Sequence, residues 1–188
     1  MARMNIGRHF DLYPMPVVIV GTMTDGKPNF MTAAWLTKLH SDPPLLALSL
    51  GERQYTAKGI RQTGEFSVSY PSVDQMVLAD YLGLVHGDKE DKSKHVEIFE
   101  GSLASAPMVR QCPVSLECRV TQTIDLPHDY VFIGEVMNVY ASESVLTDGK
   151  VDPLKLRPFM LTMPDNSYWG LGERVGTAWE AGKALLKP

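Results

Sequence analysis

Pro16-Val17-Val18-Ile19-Val20-Gly21-Thr22-Met23 followed by Thr24-Asp25-Gly26-Lys27 is the stretch on which the fold turns. Eight mostly β-branched residues read as a strand, and Asp-Gly at a two-residue reversal is the signature of a tight hairpin. The chain then returns through Asn29 to Leu39 as a second strand. Similar apolar stretches follow at Leu45–Leu50, Glu65–Tyr70, Val114–Ile124, Tyr130–Tyr140 and Phe159–Thr162. Helices are fewer. Thr56 to Thr63 is a short one stopped by Gly64. Ser72 with Gln75 makes a capping box that opens a second through about Leu82, and Val175 to Leu186 is a third candidate. Strands that succeed one another without regular intervening helices predict a mostly β, antiparallel sheet or barrel with peripheral helices. Residues 83 to 107, rich in Gly, Lys, Asp and Ser, form one long irregular stretch of the length that often carries function. Neither internal repeats nor low-complexity tracts are visible.

Composition narrows the class. The chain has 188 residues, 44% hydrophobic and 21% charged, with 15 Gly and 13 Pro, which is the profile of an ordinary globular protein and predicts a single domain over 1–188. A net charge of -4 argues against a strongly basic nucleic-acid-binding surface, so any anion site must be local. Apolar runs fall far short of the roughly 20 residues that span a bilayer, and the start lacks a signal-peptide core; a soluble, cytoplasmic protein is expected. The five histidines (His9, His40, His86, His95 and His128) never take the i, i+4 spacing of a helical zinc site, so no metal is expected. Cys112 and Cys118 lie in one strand-like stretch, roughly 20 Å apart at strand rise, too far for a disulfide, and read as buried structural thiols. Gly170 to Gly176 misses the dinucleotide fingerprint by one position, Gly83 to Lys89 misses the P-loop spacing, and no Gly-x-Ser-x-Gly elbow exists. No catalytic side chain can be singled out.

A collinear set of short motifs goes further. Tyr13-Pro14-Met15-Pro16, Asp25-Gly26-Lys27-Pro28-Asn29-Phe30-Met31-Thr32-Ala33-Ala34-Trp35, Asp42-Pro43-Pro44, Ser49-Leu50, Tyr55-Thr56 and Thr63-Gly64-Glu65-Phe66 come first. Asp80-Tyr81-Leu82-Gly83 to Gly87, Asp91-Lys92, Phe132-Ile133-Gly134-Glu135 and Tyr168-Trp169-Gly170 complete it. The succession resembles the flavin-reductase-like FMN-binding family, most closely in the manner of flavoredoxins. That resemblance implies an FMN-binding split β-barrel of the flavin reductase/PNP-oxidase-like kind, working as a homodimer with FMN near the interface. It also implies reduction of the flavin by NAD(P)H. His86 stands where flavoredoxin-like sequences tend to carry Ser, and Leu82 where they can carry Cys. His128 is offset by one position from a histidine the family often has.

The matched residues have suitable chemistry. An FMN phosphate needs donors and positive charge, ideally at a helix N-terminus. Thr56 opens the short helix, with Arg53 and Tyr55 just before it, and Lys92 matches a family position near the phosphate or ribityl chain. Asn29, Met31, Thr32, Ala33 and Trp35 match the flavin-edge strand. Ser49 and Leu50 match its neighbouring wall, Gly83 belongs to the matched loop, and Tyr168 and Trp169 stand where the family places aromatics over the ring. Each also has a plain structural reading: Trp35 a core aromatic, Thr56 a helix cap, Arg53 and Lys92 solvated surface charges, Asn29 a turn residue after Pro28. The leading reading is a flavin reductase passing hydride from a nicotinamide to FMN, the chemistry being the cofactor's. A flavoredoxin-like electron carrier with protein redox partners is the alternative, and a split barrel without flavin the third.

Overall fold

A computed structural model describes residues 3–8 and 14–186; His9 and Tyr13 lie outside the described residues. Strands β1 (Met15–Pro16), β2 (Val18–Thr24), β3 (Lys27–Ala33), β4 (Leu36–Ser41) and β5 (Pro44–Gly51) come first, and helix α1 (Tyr55–Thr63) and β6 (Glu65–Tyr70) follow. Helix α2 (Met76–Leu84) precedes the short pair β7 (Ile98–Phe99) and β8 (Met108–Val109) and the long strands β9 (Val114–Asp125) and β10 (Asp129–Ala141). The chain ends with β11 (Leu146–Thr147), β12 (Lys150–Val151), α3 (Pro153–Leu156), β13 (Phe159–Thr162) and β14 (Ser167–Gly170). The seven-stranded sheet runs β3-β2-β6-β9-β10-β5-β4, antiparallel throughout, and a smaller sheet runs β1-β13-β14.

The Asp-Gly hairpin forms as the sequence predicts, with Asp25 at φ 50° and Gly26 at φ 78°, the left-handed pair a primed turn requires. The single return strand from Asn29 to Leu39 does not. It breaks at Ala34-Trp35: β3 pairs with β2, whereas β4 pairs with β5 at the other edge of the sheet. Two residues thus join opposite edges, and the sheet has to curl to bring those edges near each other without pairing them. The barrel interior is apolar, built from Val18, Val20, Ala33, Leu46, Leu48, Leu50, Phe66, Val68, Cys118 and Phe132, and Ala57 and Ile60 of α1 plug one end. A second core, with Val17, Ile19 and Phe30 on the opposite strand faces, packs against Ala79 and Leu82 of α2 and Phe159.

Helix α1 ends at Gly64 in the left-handed conformation, as expected. The capping box is present: Ser72 Oγ accepts from Asp74 N at 3.2 Å, and Ser72 N donates to Gln75 Oε1 at 3.0 Å. The helix expected over Val175–Leu186 is absent. Only a 3₁₀ turn at Ala181–Leu185 forms, because Gly176 and Gly182 weaken a helix and the segment has no core of its own to pack on. Cys112 sits in the turn before β9 rather than in the strand; both cysteines are free, and burial pushes both thiols up to about 12.

The irregular stretch after residue 83 is largely a strap over the outer face of β6 and β9. Ser67, Ser69, Ser115 and Glu117 point outward from the barrel and are nonetheless buried beneath it. The Glu117 carboxylate accepts from Ser102 N (3.0 Å), Leu103 N (3.1 Å), Asn138 Nδ2 (2.7 Å), Tyr140 Oη (3.2 Å) and Ser102 Oγ.

Candidate functional site

Strand β3 is an edge of the large sheet, bonded to β2 on one side only. Its free side presents backbone donors and acceptors, a template for any planar group with a polar rim. Asn29 stands near its start, and its Nδ2 donates to Thr56 Oγ1 at 2.7 Å, joining the strand to the first turn of α1. Beside this pair lies a polar cavity of about 220 Å³ walled by Lys27, Pro28, Asn29, Tyr55 and the loop Gly87–Lys92.

Lys92 is the unusual member. It is 4% exposed, and its Nζ donates to Leu82 O at 2.9 Å and Val85 O at 3.0 Å, capping the end of α2. A lysine has three protons to donate, and the third is not used. Burial lowers its pKa to about 8, so it is mostly charged at neutral pH. The acidic residues of the loop bond elsewhere: Asp88 to His86 Nδ1 (2.6 Å), Glu90 to Tyr81 Oη (2.7 Å) and Asp91 to Ser93 N (3.1 Å). Among the described residues Lys27, Lys89 and Lys92 join no ion pair. The wall carries three lysines and three carboxylates, and of the lysines Lys92 alone is buried without a carboxylate beside its ammonium, which leaves one uncompensated cation for an anion to meet.

The expected site residues fall into groups. Asn29, Tyr55 and Lys92 line the cavity with Thr56 bonded behind Asn29, and the surface-charge reading of Lys92 and the helix-cap reading of Thr56 are both corrected. Lys92 is buried, and the N-cap of α1 is Gln54, with no side-chain capping bond. Arg53 lies on an adjoining shelf with Lys58, Arg61, His86 and Tyr130, which shares Tyr55 and Asp88 with the cavity wall. Met31 and Ala33 share the Asn29 face of β3 and pack with the barrel core. Thr32 points the other way, its hydroxyl donating to Ala79 O of α2, where Gly83 is its neighbour. Trp35 is 51% exposed, which corrects its reading as a core aromatic; its carbonyl accepts from Ser49 N at 2.9 Å. The Leu50 side chain is buried in the barrel, leaving only its backbone to face a ligand. Tyr168 and Trp169 lie on the small sheet: Tyr168 Oη donates to Asp80 Oδ1 at 2.8 Å, and Trp169 Nε1 to Thr162 Oγ1 at 2.9 Å. His128 is at the β9–β10 turn, where its carbonyl accepts from Glu52 N at 2.9 Å.

Sequence reasoning missed Lys27 and Lys89 as part of the wall, although Gly87, two residues before Lys89, offered a signal. A Cβ there would strike Asn29 Oδ1 and the Tyr55 ring, so only glycine lets the loop close on the cavity. Gly87→Ala is expected to push the loop outward and open the cavity, read as several-fold faster hydrogen exchange over residues 87–92.

A profile of the flavin reductase like domain matches residues 10–158. The chain belongs to this family. Among solved structures, the flavoredoxin of Methanosarcina acetivorans is 41% identical and superposes with a TM-score of 0.97 over 99% of this chain and all of that one. The flavoredoxin of Desulfovibrio vulgaris (Miyazaki F) is 34% identical, with a TM-score of 0.90 over 97% of this chain and 100% of that one. An FMN-binding domain of a flavin reductases-like enzyme from Shewanella baltica is 26% identical, with a TM-score of 0.73 over 86% and 88% of the two chains. The mostly β barrel with peripheral helices is therefore the split barrel of a flavin reductase-like protein. No helix among the described residues of this family member is long and apolar enough to cross a membrane, and no group of three or more His, Cys, Asp or Glu among them could hold a metal ion.

Proposed function

We propose that this flavin reductase-like protein holds FMN along the free edge of β3, with the phosphate in the cavity closed by Lys92, and is reduced there by NAD(P)H. The observation that carries the reading is the buried, carboxylate-free ammonium of Lys92 beside the Asn29–Thr56 pair. With Asn29 Nδ2 donating to Thr56 Oγ1, the threonine hydroxyl keeps its own proton for an anion oxygen. Lys92 and Lys27 supply charge, and Arg53 lies within the adjoining shelf for the same polar tail. The edge of β3 offers hydrogen-bonding groups to a flat heterocycle, and Trp35 at the barrel corner supplies an exposed aromatic face. FMN held there would supply the redox chemistry, taking a hydride equivalent and releasing electrons to an acceptor. The side chains bind, orient and control access, and none is required as an acid or base.

A homodimer is part of the same reading, since Trp35 and Leu39 are exposed apolar residues beside the proposed ring site. Two buried free thiols suit a reducing, cytoplasmic setting. Likeness to two flavoredoxins supports a second reading, an electron carrier that exchanges electrons with protein partners. Anaerobic stopped-flow mixing separates the two. Bleaching of the flavin band by NADH or NADPH within seconds is the expected result, and no bleaching over minutes would leave the carrier reading.

A further inference from the structure

The two ends of the barrel differ. Helix α1 plugs one, whereas the other opens as an apolar cavity of about 500 Å³ lined by Leu36, Leu46, Tyr70, Leu116, Val136 and Val139, with Lys38 and His40 also in its wall and no carboxylate. Meanwhile residues 171–186 form an arm whose base, Leu171–Val175, lies along a cleft with residues 147–154 and whose remainder the described body does not cover. Val175 is 96% and Trp179 93% exposed, and Leu185 and Leu186 are exposed as well. Among the described residues every hydrogen bond of the arm is internal to it, such as Ala181 N to Thr177 O at 3.1 Å and Lys183 Nζ to Glu180 Oε1 at 2.7 Å. Trp179 holds φ at 60°, a left-handed conformation that a bulky residue keeps only where surroundings impose it. Among the described residues no hydrogen bond from the body of the chain imposes it.

We propose that the arm docks on a second copy of this chain, with Trp179 entering the open, apolar end of the partner's barrel. The proposal rests on the homodimer reading above and specifies which surfaces meet. Area supports it: the four exposed apolar side chains present on the order of 600 Å², most of the roughly 800 Å² per partner that a stable interface buries, and two exchanged arms double the amount. A large aromatic entering a desolvated pocket is the usual anchor of such an interface. Charge is compatible: Glu180, beside Trp179, is paired with Lys183 at 2.7 Å, so the flank of the anchor is balanced where it meets a wall with Lys38 and no acid. A reciprocal exchange of one arm per copy closes the assembly at two.

The test uses the whole protein. Ala178→Cys, which keeps the Trp179 anchor, and Val139→Cys variants, both at exposed positions, are co-expressed with different tags and treated with a short bismaleimide; Cys112 and Cys118 are buried and stay silent. A covalent species carrying both tags is the expected result, together with a rise of at least tenfold in the dimer dissociation constant of Trp179→Ala by sedimentation velocity. A wild-type dimer that yields no doubly tagged species overturns the docking alone and leaves the dimer standing. A wild-type monomer overturns both.

Discussion

Lys92→Met is expected to weaken FMN binding about 100-fold, close to 3 kcal/mol, which is the scale of a charge-assisted bond lost from a desolvated site. Methionine matches the length and apolar stem but brings no proton and no charge to the cavity. The flavin-free variant should unfold within a few degrees of the wild type, since losing two bonds to Leu82 O and Val85 O is offset by no longer burying a charge. The pH dependence follows from the pKa of about 8. A bound phosphate dianion raises the lysine pKa above that value, so affinity is level below pH 8 and declines as the free protein loses the proton above it. In Lys92→Met that decline disappears. Calorimetric titration of the flavin-free protein between pH 7 and pH 9.5 reads both effects. Unchanged affinity in the variant would make Lys92 a helix cap and move the phosphate to the Arg53 shelf.

Glu117→Gln is expected to cost about 3 kcal/mol of folding stability, seen as a lower urea midpoint. Burial works against the Glu117 charge, but the donors of Ser102, Leu103 and Asn138 outweigh it and hold the pKa at about 2, against an ordinary 4.5. A carboxylate depressed in the folded state stabilises it fully above 4.5, and that contribution fades as pH falls from 4.5 toward 2. Wild type and variant should therefore converge in acid and separate near neutrality. A glutamine keeps the shape, yet turns an NH₂ group toward neighbours that are themselves donors. The loss should appear first as faster hydrogen exchange at residues 100–106, since the strap is what the carboxylate pins.

Much of the fold was legible. The Asp25-Gly26 turn, Gly64 and the Ser72–Gln75 box are local signals whose physics is complete within four residues, and each does what it predicts. The break at Ala34-Trp35 was not legible, because both halves have strand propensity and only the closing of the barrel decides that they pair at opposite edges. Ser67, Ser69, Ser115 and Glu117 carry a local signal that points away from their true setting. Alternation marks them as outward, and outward normally means solvated, but a strap some 40 positions away in sequence covers Ser67 and Ser69. At the site, it was the family resemblance that singled out Asn29, Thr56 and Lys92; their residue types alone left each with a plain structural reading. No pattern foretold that Thr32 would spend its hydroxyl on α2, or that the Leu50 side chain would be wholly in the core.

The Ala34-Trp35 crossing also orders the events of folding. β2 with β3, β4 with β5, and β9 with β10 are each local hairpins, able to form early and independently. The pairing of β10 with β5 joins Phe132 to Leu48 across a long sequence interval, and such non-local contacts form slowly. Because two residues tether β3 to β4, zipping of β10 onto β5 also draws the first hairpin into place. Ring closure is thereby the expected rate-limiting event, and lengthening this tether should slow refolding while leaving unfolding nearly untouched.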